Sequence, residues 1–221
     1  MELRDYESLA GAVNLNIGCG IDRITRPGKW VNVDMNPDVR PDVVVNLGED
    51  DLISVLAASG QPILYDFVVA SHVLEHLRGK PLFDLIANVY DLLKPGGRLL
   101  AVTPYASSDD AIENPLHVTY FTANTWSYFT RSLYDDPKVT VGYRASQGMP
   151  LRDWSIEQIV LIPRPEFVEL ANKDRAGFER MVCYQRNTIV EIHAVMRRQR
   201  ALYSSPVVPE PGLHQAVPGC P

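Results

Sequence analysis

Gly18-Cys19-Gly20 closes a short apolar run, Val13–Ile17, with a tight turn. Glycines at such a turn let backbone N–H groups come close to a ligand and permit φ values closed to other residues. Asp34 ends the next apolar run, Trp30–Val33. In nucleotide-binding α/β folds a carboxylate at that place accepts hydrogen bonds from both ribose hydroxyls. Turn and acid together point to a ligand that carries a ribose. A dinucleotide would also require a third glycine and a full helix behind the turn. Arg23 stands where that glycine belongs, and Asp22–Lys29, with Pro27-Gly28 inside it, leaves no room for the helix. Without a helix N-terminus to hold a pyrophosphate, a ligand lacking one fits better.

Histidines carry the remaining chemistry, because only imidazole titrates unperturbed near neutral pH. His72 and His76 are four residues apart with Glu75 between them, on one face of a short helical start, His72–Leu77. The spacing has the look of a zinc pair. The order His-x-x-Glu-His and the want of a distant third ligand set metal aside, so none is expected. His117 follows Asn114-Pro115 within a long polar stretch, residues 104–125. A loop of that length inside a compact domain is usually functional, here a candidate lid. His193 reads as a structural residue on a strand face, and His214 falls in the tail.

Alternating strands and helices must position these groups. Val13–Ile17, Trp30–Val33, Asp42–Val45, Tyr65–Ala70 and Arg98–Val102 read as buried strands, the last launched by Pro95-Gly96-Gly97. Continuous apolar strands of this sort belong to a parallel sheet covered on both faces. Asp51–Ser59 reads as a helix, and so does Pro81–Leu93, whose Leu82, Leu85, Ile86, Val89, Leu92 and Leu93 keep helical spacing up to the Pro95-Gly96 stop. Asn124–Leu133 reads as another helix, and Trp154–Ile162 and Thr188–Arg197 as late strands. In the last, Val190, Ile192, Ala194 and Met196 alternate with Glu191 and His193; its arginines make a helix the rival reading. The fold class is α/β, with a mostly parallel sheet and right-handed crossovers in one domain, residues 1–203, and a long loop after the fifth strand. Residues 204–221 hold five prolines and two glycines without a core pattern and read as a disordered tail.

Composition narrows the class further. The 221 residues carry 21 Lys and Arg against 27 Asp and Glu, a net charge of −6, which excludes coating nucleic acid by charge alone. The basic stretch Lys173–Arg200 reads as a solvated face. Three cysteines, Cys19, Cys183 and Cys220, cannot all pair and lack metal spacing, which reads as a reduced compartment. The first residues lack a signal-peptide pattern and no apolar run is long enough to span a membrane, so the default location is the cytoplasm.

Five segments, LNIGCG at 15–20, VNVDMNP at 31–37, DVVVNL at 42–47, YDFVVASHVLEHL at 65–77 and LLKPGGRLL at 92–100, resemble in order and spacing the class I S-adenosylmethionine-dependent methyltransferases. The short first crossover and NPLHVTYFTANTWSYF at 114–129 resemble a compact bacterial and phage subgroup, methyltransferase type 11-like. The resemblance covers about half the chain and implies a Rossmann-like doubly wound, mostly parallel sheet and an enzyme that uses S-adenosylmethionine to methylate an oxygen or nitrogen atom. It implies that Gly18, Cys19 and Gly20 line the methionine and ribose, and that Asp34 holds the ribose hydroxyls. It places Met35, Asn46 and Leu47 at the adenine, although many relatives have Asp at the position of Asn46. Ser71 and His72 would face the sulfonium and the acceptor. An oxygen or nitrogen acceptor usually needs a base, for which His72 and His117 are the candidates, with Tyr105 orienting the acceptor. Tyr120, Phe121, Trp126 and Phe129 read as core packing before pocket wall. The Asx-Pro-Pro-aromatic motif of amino-methylating DNA enzymes is missing from Ala70-Ser71-His72-Val73, and no Pro-Cys pair offers a nucleophile for base carbons. A small molecule, or a sugar, lipid or nucleotide intermediate, is the expected acceptor; a nucleic acid or protein acceptor and a non-catalytic binder of the cofactor are the alternatives. The oligomeric state has no signature in the sequence.

Overall fold

The computed structural model describes residues 10–130, 150 and 152–199. Its strands are β1 (Val13–Ile17), β2 (Lys29–Asp34), β3 (Val43–Val44), β4 (Tyr65–Ser71), β5 (Leu93–Pro104), β6 (Trp154–Pro163) and β7 (Ile189–Arg198). They make one sheet in the order β3-β2-β1-β4-β5-β7-β6. The first five run parallel, while β7 is antiparallel to both its neighbours. Strand order reverses between β1 and β4. A doubly wound sheet opens its ligand crevice there, at the carboxyl ends of the strands.

Alternation along the strands divides the side chains between two faces. One face, with Leu15, Ile17, Val31, Val33, Val68, Ala70, Leu99 and Ala101, carries the main core. Helix α1 (Leu52–Ala58) adds Leu52 and Leu56, and helix α2 (Lys80–Leu92) adds Leu82, Leu85, Ile86, Val89 and Leu92. The Asp51 carboxylate accepts the Ile53 and Ser54 N–H groups and so starts α1. The other face holds a smaller cluster of Trp30, Phe67, Val69, Leu100, Val102 and Val195. It also buries Asn14, Asn16 and Asn32, which an apolar reading of these strands does not anticipate. Asn16 and Asn32 hold the irregular crossover from β1 to β2. Asn16 Nδ2 donates to the Asp22 carbonyl at 3.2 Å, while Asn32 accepts the Ile24 N–H at 2.8 Å and donates to the Ile24 carbonyl at 3.0 Å. Side-chain amides thereby satisfy a backbone that, having no helix, lacks partners of its own.

Several elements differ from the sequence reading. Helix α2 stops at Leu92 and β5 begins at once, so Pro95-Gly96-Gly97 is a bulge within β5 and not a turn before it: Tyr65 pairs with Leu93, then Phe67 with Arg98. A Cβ on Gly97 would stand 2.9 Å from the Lys94 carbonyl and 3.0 Å from that of Asp66, which reserves the bulge for glycine. Strand β3 keeps only two residues of Asp42–Val45. The helix expected at Asn124–Leu133 is a 3-10 helix, Ala123–Phe129, with its later residues outside the described ones. The start at His72–Leu77 narrows to a 3-10 turn, Leu74–His76. Two helices, α4 (Val168–Lys173) and α5 (Arg175–Tyr184), arise where the sequence offers little amphipathic signal; together they bury only Phe178. A short helix α3 (Asp109–Ile112) interrupts the long loop after β5. The last strand is a strand, as its alternation predicts: Ile192, Ala194 and Met196 are buried while Glu191 and His193 between them stay partly exposed.

The basic stretch is spread over α4, α5 and β7, and most of its described charges are paired within the chain. Arg175 pairs with Glu179, Arg186 with Asp109 and Arg197 with Glu157. Arg198 donates to the Tyr90, Asp91 and Leu93 carbonyls at the end of α2, where a cation suits the helix dipole. Among the described residues no helix is long and apolar enough to cross a membrane. The tail 204–221, with His214, lies outside the described residues.

Candidate functional site

The glycine turn sits at the end of β1, against the segment that leaves β4. Gly18 has φ +63°, and a Cβ there would lie 1.9 Å from Val73 Cγ2. Gly20 has φ +50°, but a Cβ on it would meet nothing within 4 Å, so its surface faces open space. The Gly20 N–H donates to Asp34 Oδ2 at 2.8 Å, and the Asn36 N–H donates to Oδ1 at 2.8 Å. Each carboxylate oxygen has one N–H bonded to it and keeps further acceptor capacity. Asp34 therefore locks the turn to the end of β2 and still offers both oxygens. Cys19 is 4% exposed, and burial, then the Asp34 charge, push its thiol up; a ligand at the turn would meet only its backbone.

Met35 lies 64% exposed beside Asp34. Asn46 closes its own turn, accepting the Gly48 N–H on Oδ1 at 3.1 Å, and Leu47 is half-buried against the main core. Ser71 ends β4, exposed. His72 follows with φ +54° and donates its N–H to the Val102 carbonyl, which fixes it over the ends of β4 and β5.

Both ring nitrogens of His72 face carboxylates. Nε2 lies 3.2 Å from Glu191 Oε1, and Nδ1 lies 3.5 Å from Glu75 Oε1. Glu191, then Glu75, stabilise the imidazolium against burial and raise its pKa to about 10. The other oxygen of Glu191 meets His193 Nε2 at 3.1 Å; His193, then His72, hold the Glu191 carboxyl down to about 2. A His72 flanked in this way has no free nitrogen with which to take a proton, which suits positioning better than general-base work.

His117 comes to this place from the long loop. Its side chain is 8% exposed, its Nδ1 lies 3.0 Å from the Ala111 carbonyl, and its ring meets His76 edge-on at 4.8 Å. The Glu75 carbonyl accepts both the Val118 and Thr119 N–H groups, and Thr119 Oγ1 donates to the Leu77 carbonyl at 2.6 Å. The loop is thus laced to the turn after β4, with Phe121 and Trp126 stacked and fully buried behind it. Phe129 is also core, and Tyr120 alone of the four aromatics is exposed. Tyr105 is half-buried against the main core, its N–H bonded to the Val190 carbonyl and its phenol pushed up by burial.

Residues 8–178 match the family model described as a methyltransferase domain. The chain belongs to that family. Among solved structures, a SAM-dependent methyltransferase from Archaeoglobus fulgidus is similar over 89% of this chain and 91% of its own, with 18% identity and a TM-score of 0.54. The N-methyltransferase NodS from Bradyrhizobium japonicum, solved with S-adenosyl-L-homocysteine, is similar over 89% of this chain and 83% of its own, with 15% identity and a TM-score of 0.51. At such identities the likeness is one of fold. No curated protein matches.

In this methyltransferase Glu75 stands between His72, at 3.5 Å, and His117, at 4.0 Å, and Gly18 of the glycine turn packs against Val73, next to His72. The structure adds two residues that sequence reasoning passed over, Glu75 and Glu191. Glu75 is 2% exposed, and neither of its oxygens makes a hydrogen bond among the described residues. A charge inside the apolar run Val-Leu-Glu-His-Leu was the available signal for it. Glu191 could have been marked by its place two residues before His193 on the same strand face.

Proposed function

We propose that this methyltransferase uses S-adenosylmethionine to methylate an oxygen or nitrogen atom of a small-molecule acceptor. The observation that carries this reading is the joined turn and carboxylate, Gly20 N–H on Asp34 Oδ2, at the point where the strand order reverses. The residues fit the cofactor. Gly20 leaves open space for it, Asp34 keeps lone pairs on both oxygens for two ribose hydroxyls, and Met35 offers an exposed apolar side chain to the adenine. Asn46 and Leu47 would border the adenine from the turn after β3, while Cys19 would contribute backbone.

When bound, the cofactor supplies a methyl group already activated on a sulfonium. The protein's part is then mainly placement, which can supply on the order of 7–11 kcal/mol. Ser71 and His72 would flank the sulfonium and the acceptor from the end of β4, with Glu191 holding the His72 ring. His117 and Tyr105 would meet the acceptor from beyond β5. Internal pairing of the basic stretch takes support from a nucleic-acid acceptor and favours a small one.

Calorimetric titration with S-adenosylhomocysteine, beside NAD, tests the cofactor. Micromolar binding of the first and none of the second is expected; the reverse would overturn the reading. Release of S-adenosylhomocysteine during incubation with hydroxyl- and amine-bearing small molecules tests catalysis, and binding without turnover on any of them would favour a non-catalytic binder.

A further inference from the structure

We propose that Glu75, His76 and His117 form a binding site for a divalent transition-metal ion. The sequence argues against metal on the His-x-x-Glu-His order and on the want of a distant third ligand; the fold brings His117 to His76 and Glu75 from the loop after β5, which answers the second objection and overrides the first. The ligating atoms of the three residues all lie within 4.8 Å of one another. Bonds of about 2.0–2.2 Å to one ion put such atoms roughly 3–3.5 Å apart, so closure asks the widest pair to approach by about 1.3–1.8 Å.

Three features mark the cluster as built for a cation. First, Glu75 is 2% exposed and neither oxygen has a hydrogen bond among the described residues. A carboxylate taken out of water without hydrogen bonds is costly unless a cation meets it. The His72 imidazolium meets only one of its oxygens, Oε1, at 3.5 Å and is shared with Glu191, and His117 Nε2 stands 4.0 Å from that same oxygen, which leaves Oε2 with no hydrogen-bond partner among the described residues.

Second, both candidate imidazoles are turned the right way. His117 Nδ1 lies 3.0 Å from the Ala111 carbonyl and His76 Nδ1 lies 3.3 Å from the Leu116 carbonyl. A carbonyl only accepts, so Nδ1 carries a proton in each ring, and in the neutral ring Nε2 keeps the lone pair a metal needs. A backbone carbonyl on the far nitrogen is the usual way to fix a metal-binding histidine. Third, the carbonyl of Glu75 accepts the Val118 and Thr119 N–H groups. The residue that supplies the carboxylate also pins the loop that supplies His117, which preorganises the set.

Two imidazoles and a carboxylate suit Zn²⁺, Co²⁺, Fe²⁺ or Mn²⁺ better than the all-oxygen cages of Ca²⁺ or Mg²⁺. Three protein ligands leave a position open. On the methyl-transfer reading, and resting on it, an acceptor oxygen would take that position beside His72.

The test is titration of the metal-stripped full-length protein with Co²⁺ and with Zn²⁺, without cofactor. One Co²⁺ per chain is expected, with visible ligand-field bands, and Zn²⁺ should raise the melting temperature. His76→Ala and Glu75→Gln should each bind at least about tenfold more weakly and lose the bands. His76 is exposed, so its variant keeps the test alive if the buried Glu75→Gln chain fails to fold. Failure of the wild-type protein to bind either ion, or equal binding by the folded His76→Ala variant, would overturn the proposal. S-adenosylhomocysteine titrated into the same samples separates the two readings: metal bound without it sinks only the methyl-transfer reading, and the converse sinks only the metal site.

Discussion

Gly18 and Val73 meet where β1 and β4 part company. A Cβ on the glycine would stand 1.9 Å from Val73 Cγ2, and the glycine's φ is +63°. The glycine turn and the segment leaving β4 are thus in direct contact. Gly18→Ala should destabilise the fold by about 1–3 kcal/mol through overpacking, with the left-handed φ adding to it. Urea unfolding measures this. Gly20→Ala, which meets only open space, is the comparison and should keep the backbone penalty alone.

Asp34→Ala should weaken S-adenosylhomocysteine binding by about 1.5–3 kcal/mol, the scale of hydrogen bonds to a charged group. It also frees the Gly20 N–H, so the turn itself loosens. Calorimetry reads both together. Unchanged affinity would mean that the ribose sits elsewhere.

His117→Ala should leave S-adenosylhomocysteine affinity nearly unchanged, since the ring lies beyond β5 among Glu75, His76 and the Ala111 carbonyl. With Nδ1 held by the Ala111 carbonyl and Nε2 turned to Glu75, the ring acts by positioning, so turnover should fall on the order of 10²-fold. A normal rate on the acceptor would return His117 to a structural role.

Acid should unfold the protein partly through Asp42. Burial pushes that carboxyl up, but hydrogen bonds from the Asn32 N–H and Nδ2 and the Arg23 guanidinium outweigh it, so the net shift is downward. A carboxyl lowered on folding stabilises above its unfolded pKa of about 3.9 and loses that contribution as pH falls through the folded value. Asp42→Asn should be less stable than wild type at pH 7, and the gap should close as pH drops below about 4. Urea midpoints across that range check it; a gap that is constant with pH would remove Asp42 from the acid transition.

Local signals carried much of this in the sequence. Leu82, Leu85, Ile86 and Val89 recur at helical spacing and bury as a set, and the alternation through Ile192 and Ala194 decides β7 against a helix. The Gly18–Gly20 turn and Asp34 were legible because both close strands of strong apolar pattern. Features made by distant residues were not. Nothing near His76 announces that His117 will stand beside it. Nothing near Asn32 says that its amide will serve the crossover backbone at Ile24. Helices α4 and α5 bury almost nothing, so periodicity had little to report. The start of β5 was not legible because Pro95-Gly96-Gly97 serves equally as a turn before a strand and as a bulge within one, and only the pairing of Tyr65 with Leu93 distinguishes the two.

Strand β7 lies between β5 and β6, although it is made after both. On a ribosome β6 therefore emerges before the strand it pairs with, and β5 waits with an open edge through the synthesis of some eighty residues between Pro104 and Ile189. Domains tend to fold from the N-terminus as the chain emerges, and unpaired edges invite wrong partners. The half of the sheet that bears the glycine turn and Asp34 has all its strands early, while Glu191 arrives last, on the strand that closes the gap. Nascent chains of this protein should therefore be most vulnerable to aggregation late in translation, in the interval before β7 slots in.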